Sequence, residues 1–303
     1  MSHILNLKKL SFLVYGLGST GYSVIKYFKK KKIYNFSVWD DNSKLRKKFK
    51  SKNISNLKNV LKEVDYIVLS PGISLKKTKY KKDLLKFRNK IITDIDLLYL
   101  SNSKFKSIVV TGSNGKSTTC KIIEHLLKKN KFKVKLGGNI GTPVLNFEIK
   151  KNVILIIEAS SFQLSHSKFI HPDFAILLNI TNDHLDWHGS VQAYIKSKLK
   201  IFNLQGRNNF ALVNENLRDI FKKNKFLSKL VLVKFNNYKK IKFKIENEYL
   251  RSATNNENMN FVYELSKLLK IKKSSFIKSM NSFLGLPHRY EIFFKKKRHY
   301  FYQ

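Results

Sequence analysis

Apolar residues fall along this chain in short unbroken runs, separated by stretches in which they recur at helical spacing. Ser11-Phe12-Leu13-Val14-Tyr15, Phe36-Ser37-Val38-Trp39 and Tyr66-Ile67-Val68-Leu69 read as strands, and Val24, Ile25 and Phe28 mark a helix between the first two. The pattern pauses at the polar stretch Ser101-Asn102-Ser103-Lys104 and then restarts. Ile108-Val109-Val110 predicts a strand, and Ile122, Ile123, Leu126 and Leu127 share one face of a helix over Thr118 to Leu127. Val153 to Ile157, Phe174 to Leu178 and Phe210 to Val213 predict further strands, and Asn255 to Leu269 a helix. Strands alternating with helices imply parallel sheets, so the expected class is α/β, with one domain over residues 1–103 and a second over 104–286.

Composition narrows the partners. A chain of 303 residues exceeds a typical single core, and 43% hydrophobic residues suffice for cores of normal size. The net charge of +40 would ordinarily point to nucleic acid. However, the excess is lysine spread from Lys8 to Lys297, and Asn, Ile, Phe and Tyr are abundant too. A coding bias toward A and T accounts for that pattern, and no nucleic-acid partner is expected. Cys120 is the only cysteine, which excludes an internal disulfide and points to a reducing cytoplasm. No apolar run is long enough for a membrane span, and Met1 to Leu10 lacks the apolar core of a signal peptide.

The richest chemistry follows the strand at Ile108. In Thr111-Gly112-Ser113-Asn114-Gly115-Lys116-Ser117-Thr118, the glycines let backbone N–H groups close around an anion, Lys116 reaches phosphate oxygens, and the Ser117 hydroxyl can ligate Mg²⁺. The common phosphate loop has a glycine where Val110 sits, so this is the shorter Gly-x-x-Gly-Lys-Ser form. Gly16, Gly18 and Gly21, with Asp40 about twenty positions on, match a dinucleotide-type fingerprint in a Rossmann-like unit. The same glycines also suit a tight turn and close helix packing, and spacing alone does not choose. Glu158 closes an apolar strand, either as a metal ligand or as an exposed strand-end carboxylate. Asp183, His184, Asp186 and His188 crowd another strand end; without a thiol or third histidine, magnesium chemistry suits them better than zinc, the alternative being simple turn capping. Lys198, among Lys196 and Lys200, reads by periodicity as a solvated face.

Taken in order, five segments resemble the Mur ligase family: Thr111 to Thr118, Gly138-Asn139-Ile140-Gly141, Glu158-Ala159-Ser160-Ser161-Phe162-Gln163-Leu164, Asn179 to Asp186, and Gly285-Leu286-Pro287-His288-Arg289-Tyr290-Glu291. The last run is closest to those members that add D-glutamate to UDP-N-acetylmuramoyl-L-alanine with ATP. The resemblance implies a central ATP-binding domain of the P-loop type, an acyl-phosphate intermediate and two Mg²⁺ ions. It assigns Lys116, Glu158, His184 and Lys198 to catalysis, and Ser117, Glu158, His184 and Lys198 to the metals, with Lys198 carbamylated by carbon dioxide. ATP would meet Gly112, Ser113, Asn114, Gly115, Lys116, Ser117, Thr118, Asn255, Asn258 and Arg289. The UDP-sugar would meet Ser19, Thr20, Asp40, Gly72, Asn139 and Ser160, so the fingerprint glycines would cradle a diphosphate, not NAD. Ser252-Ala253-Thr254-Asn255 stands where the family has Gly-x-His-Asn. The family also has a third, C-terminal domain. Residues 287–303, with an opening hairpin over Arg289 to Phe294 and Arg298 to Tyr302, are expected to be its start, the rest being truncated. The working expectation is a monomeric ligase, with a catalytically incomplete fragment that only binds UDP-sugar or ATP as the alternative.

Overall fold

The structure, a computed structural model, describes residues 6–49, 52, 54–101, 105–149 and 151–285, and the backbone of 292–296 and 299–302. Residues 102–104 at the expected domain boundary, and Arg289, lie outside the described residues.

Two parallel sheets carry the chain. The first has the order β2-β1-β3-β4, from β1 (Phe12–Tyr15), β2 (Phe36–Trp39), β3 (Tyr66–Leu69) and β4 (Ile91–Ile92). The second has the order β10-β9-β8-β5-β7-β6. It is built from β5 (Lys106–Thr111), β6 (Lys133–Gly138), β7 (Val153–Glu158), β8 (Phe174–Leu177), β9 (Phe210–Asn214) and β10 (Lys229–Val233). All of its pairs are parallel. β11 (Ile292–Lys296) and β12 (His299–Tyr302) pair as an antiparallel hairpin.

The apolar runs explain the central positions. Every residue of β1, β7 and β8 is buried, as strands covered by helices on both faces must be. The edge strand β6 instead alternates lysine with apolar residues, its lysines exposed and most of the rest half-buried. Helices pack by the face their spacing predicts. In the helix Lys116–Lys129, Ile122, Ile123, Leu126 and Leu127 are fully buried against Ile108, Val110 and Ile156, each contributing roughly 1.5–3 kcal/mol of burial. That helix begins two residues earlier than its apolar spacing predicts, because left-handed Gly115 serves as its N-cap and places Lys116 in the first turn.

The strand order reverses at one place in each sheet. β1 lies between β2 and β3, and β5 between β7 and β8, so a crevice opens at the carboxyl ends of β1 and of β5. The two units are joined by a shared apolar cluster that includes Val14, Ile92 and Leu98 from one and Val144, Leu164 and Ala175 from the other. Polar contacts cross as well: Ser23 Oγ donates to Asn146 Oδ1 at 2.9 Å, and Asp96 Oδ1 accepts from the backbone N–H of Lys168 (2.9 Å) and Phe169 (2.8 Å). Among the described residues no helix is long and apolar enough to cross a membrane.

Candidate functional site

The loop after β5 is shaped by close approach as much as by charge. Gly115 has φ +80°, and a Cβ there would lie 2.3 Å from Asn258 Oδ1. Asn258 Oδ1 accepts from Thr119 Oγ1 (3.1 Å), and its amide donates to Asn255 Oδ1 (3.0 Å). The structure therefore places buried Asn255 and Asn258 behind the loop, where they brace Gly115. On the other side, Ser113 N donates to Asn179 O (3.0 Å) and Asn114 N to Asn179 Oδ1 (2.9 Å), which ties the loop to the end of β8. Glu257 in turn accepts from the side-chain amides of Asn179 (2.7 Å) and Asn214 (2.6 Å) and so links the ends of β8 and β9.

Two lysines meet on this loop. Lys116 Nζ donates to Gly112 O (2.8 Å) and Ser113 O (2.7 Å), and Lys198 Nζ donates to the same Gly112 O at 2.7 Å. Far from being a solvated face, Lys198 is 1% exposed and sits 4.6 Å from the centre of the Tyr194 ring. Tyr194 is held by a 2.8 Å hydrogen bond between its hydroxyl and Ser113 Oγ. Burial, and secondly the charge of Lys116, push Lys198 down to about 7, while Asp183 pulls the other way. Lys116 is lowered too, chiefly by burial, against the opposing pull of Glu158 and Asp183.

Glu158 ends β7 in register with Val110 and is 1% exposed. Its Oε1 accepts from Asn139 Nδ2 (3.0 Å), but buried Oε2 has no hydrogen-bond partner among the described residues. A buried, undonated carboxylate oxygen is costly unless a cation compensates. With the Ser117 hydroxyl in the first turn of the adjoining helix, the residues fit Mg²⁺, which takes few protein oxygens and completes its shell with water and phosphate. No group of three or more His, Cys, Asp or Glu side chains that could hold a metal ion occurs among the described residues.

His184 has φ +52°, caps the short helix Leu185–His188, and packs its ring, tilted by 50°, with its centre 4.7 Å from that of Phe162. Its Nδ1 lies 3.4 Å from Asp183 Oδ1, and the ring is substantially exposed. His188 is instead tied down. Its Nε2 bonds with Ser161 Oγ at 3.0 Å, and burial, then Lys198, hold it down to about 4, so it is neutral at pH 7. Phe162 also touches Trp187 and His188, and thereby fixes this loop over the end of β7. Ser160 is engaged in a capping box with Gln163 at the start of helix Ser161–His166.

At the first crevice, Gly16 has φ +97°, and a Cβ on Gly21 would lie 1.9 Å from Gly16 O, so both glycines are required by packing. Gly18 and Gly72 border open space, with Ser19 and Thr20 in the first turn of helix Ser19–Lys30 beside them. Asp40 is buried and faces the glycine loop: its Oδ2 accepts from Leu17 N at 2.7 Å and its Oδ1 from Asn42 N at 2.8 Å.

The structure thus brings Lys116 and Lys198 together on Gly112 O, with Glu158 acting on Lys116 through its charge, keeps His184 nearby on its own loop, and gathers Ser19, Thr20, Asp40 and Gly72 at a separate crevice. Asp183 as the counter-charge to both lysines, Tyr194 as the support of Lys198, and Glu257 were given no such roles from sequence. Asp183 and Glu257 act on partners distant in the chain, and Tyr194, though one turn from Lys198, is itself anchored by distant Ser113, signals that spacing does not carry.

Two family models match the chain: the Mur ligase middle domain over residues 110–281 and the Mur ligase MurD-like N-terminal domain over 10–87. The chain is 35% identical to the UDP-N-acetylmuramoylalanine–D-glutamate ligase of Rickettsia bellii, covering 93% of this chain and 68% of that protein. It is 34% identical to the ligase of the same name from Buchnera aphidicola, covering 92% and 68%. Among solved structures it superposes with a TM-score of 0.57 on the Neisseria meningitides UDP-N-acetylmuramate:L-alanyl-gamma-D-glutamyl-meso-diaminopimelate ligase, at 14% identity over 92% of this chain and 99% of that one. Thermotoga maritima MurF in complex with ADP gives 0.52 at 17% identity over 97% and 70%. At such identities the structural likeness speaks to the fold alone.

Proposed function

Because this chain belongs to the Mur ligase family, we propose that it acts as an ATP-dependent ligase joining D-glutamate to UDP-N-acetylmuramoyl-L-alanine in peptidoglycan synthesis. The observation that carries this reading is the convergence of Lys116 and Lys198 on Gly112 O, beside the undonated Glu158 oxygen. That arrangement concentrates positive charge where a triphosphate and a carboxylate must be brought together.

A carboxylate is a poor acyl donor because oxide is a poor leaving group. Transfer of the γ-phosphoryl group to the alanine carboxylate oxygen makes phosphate the leaving group. The amine of D-glutamate then forms the new C–N bond, loses a proton and expels phosphate through a tetrahedral intermediate. The loop from Gly112 to Thr118 holds the triphosphate, and Lys116 exchanges its loop carbonyls for phosphate oxygens. Ser117 and Glu158 would hold one Mg²⁺ and His184 with Lys198 another, supplying charge neutralisation at the phosphoryl and carboxylate oxygens. Burial prepares Lys198 for that role. A lysine near 7 is largely neutral amine at slightly alkaline pH, and a neutral amine adds to carbon dioxide with loss of a proton, becoming an anionic carbamate. Asn255 and Asn258 act by bracing the loop, and Arg289 approaches the phosphates. The 1–103 unit takes the UDP-sugar at Ser19, Thr20, Asp40 and Gly72, and Asn139 and Ser160 face the sugar end from the 104–286 unit. The single cysteine, Cys120, is fully buried, which fits work in a reducing cytoplasm. Nothing observed favours the binding-only alternative.

The chain supplied with ATP, Mg²⁺ and both substrates should release phosphate and form the amide. Release no faster than in a Lys116→Ala control would overturn the activity. Carbamylation of Lys198 is read separately, as a carbamate ¹³C signal from ¹³C-bicarbonate that is absent in Lys198→Met.

A further inference from the structure

Away from both glycine loops, the two units face each other across a cleft of 290 Å³ lined by Arg88, Asn89, His166, Lys168 and Lys200. An adjoining cleft of 250 Å³ shares Arg88, His166 and Lys200 and adds Lys76 and Lys196. Arg88 precedes β4, and the adjoining cleft extends to Ser74–Lys76 after β3 and to Trp187 and His188.

The cations here are held in place without being neutralised. Lys200 Nζ donates to Ser165 O and Ser167 O, and Lys168 Nζ donates to Arg88 O and Asn89 O. These are ordinary carbonyl contacts, and they bring no negative charge. The carboxylate that acts on Lys168 and Lys200 is Asp96, whose oxygens are already taken by Thr93, Lys168 and Phe169 backbone N–H groups. None of Lys76, Arg88, Lys168, Lys196 or Lys200 is in an ion pair among the described residues. Burial above all, with repulsion from neighbouring cations and against the opposing pull of Asp96 on the lysines, lowers Lys168 and pushes Lys200 down to about 8 and His166 down to about 3. The exposed Arg88 guanidinium makes no side-chain hydrogen bond among the described residues.

We propose that this cleft binds a small phosphate oxyanion that bridges Arg88 of the first unit to Lys168 and Lys200 of the second. A guanidinium fork and two fixed ammonium groups match phosphate oxygens in geometry and charge. The neutral His166 floor adds no repulsion. An anion held from both sides would stabilise the contact between the units.

The test is calorimetric titration of inorganic phosphate into the full chain at ionic strength fixed with chloride. The chain carries Lys116→Ala, which removes phosphate binding at the Gly112 loop. Saturable binding that weakens at least tenfold in Arg88→Ser and in Lys200→Gln is expected, with a phosphate-dependent rise in Tm that both variants lose. Because Arg88 is exposed, Arg88→Ser should melt as the parent does without phosphate. Should it not, Arg88→Lys keeps the charge, loses the fork, and should bind with intermediate affinity. AMP as a second probe separates sources: binding equal to phosphate's assigns the site to the phosphoryl end of a larger molecule, and weaker binding to free phosphate. Phosphate binding no better than chloride, or unchanged affinity in Arg88→Ser, would overturn the proposal.

Discussion

Two glycine loops follow buried parallel strands at the two places where strand order reverses, and they differ in what closes on them. At Gly16 to Gly21 the closing group is a carboxylate: Asp40 takes the Leu17 N–H, and Ser70 Oγ donates to Gly16 O at 2.8 Å. At Gly112 to Thr118 the closing groups are two lysine amino groups on one carbonyl. The backbone device is the same, but the first loop has its polarity settled by neighbours and presents a quiet hydrogen-bonding surface, suited to holding a diphosphate that does not react. The second gathers two buried lysines, only partly offset by Asp183 and Glu158, near an undonated carboxylate oxygen, a charge arrangement that suits the proposed phosphoryl transfer. Topology therefore places a ligand, and the charge brought by distant segments decides what happens to it.

The sharpest break of that contrast is Lys116→Ala. It should lower phosphate release by about 10²- to 10³-fold, read as kcat/KM, with UDP-sugar affinity retained at the other loop. Next comes glycine exchange. Gly115→Ala puts a Cβ at φ +80° and 2.3 Å from Asn258 Oδ1, and should cost about 1–3 kcal/mol in urea unfolding. Gly18→Ala, at φ −71° with nothing within 4 Å, should stay within about 0.5 kcal/mol. A third test uses pH. Lys198 is lowered from 10.5 to about 7 in the folded chain, so between those values the unfolded state binds more protons and stability rises with pH. The slope, at most about 1.4 kcal/mol per pH unit, should be the difference between the parent and Lys198→Met in carbon-dioxide-free buffer. Equal slopes would mean that burial beside Lys116 does not lower Lys198 in the folded chain. The last substitution belongs to the quiet loop: Asp40→Asn turns a donor toward one of two backbone N–H groups and should cost about 1 kcal/mol, measured by thermal melting.

Much of the scaffold was legible because buried parallel strands are written as continuous apolar runs. β1, β5, β7 and β8 sit where Phe12 to Tyr15, Ile108 to Val110, Val153 to Ile157 and Phe174 to Leu178 predict them. β6 and β10 were not legible. They are the two edges of the six-stranded sheet, so they keep solvent-facing positions, and Lys133 and Lys135 in β6 look like the surface lysines around them. The helix Ala253–Leu268 starts near its predicted position because Ser252 caps it, its Oγ accepting from Asn255 N. At the site, the loop and Glu158 announced themselves through residue type and strand context. Lys198 did not: its burial depends on Gly112 and Ser113 from a distant loop as well as on Tyr194 one helical turn away, and the alternating lysines Lys196, Lys198 and Lys200 read as a solvated face. Asn255 and Asn258 illustrate the converse, since a motif match named them while the fold decided that they press on Gly115.

The apolar cluster shared by the two sheets has a consequence for how the molecule comes apart. Residues as far apart as Val14 and Ala211 belong to one interior, so neither unit can open its hydrophobic face to water without exposing the other's. Denaturation should therefore be a single cooperative event, and a ligand gripped at either crevice should protect the whole chain against heat and protease.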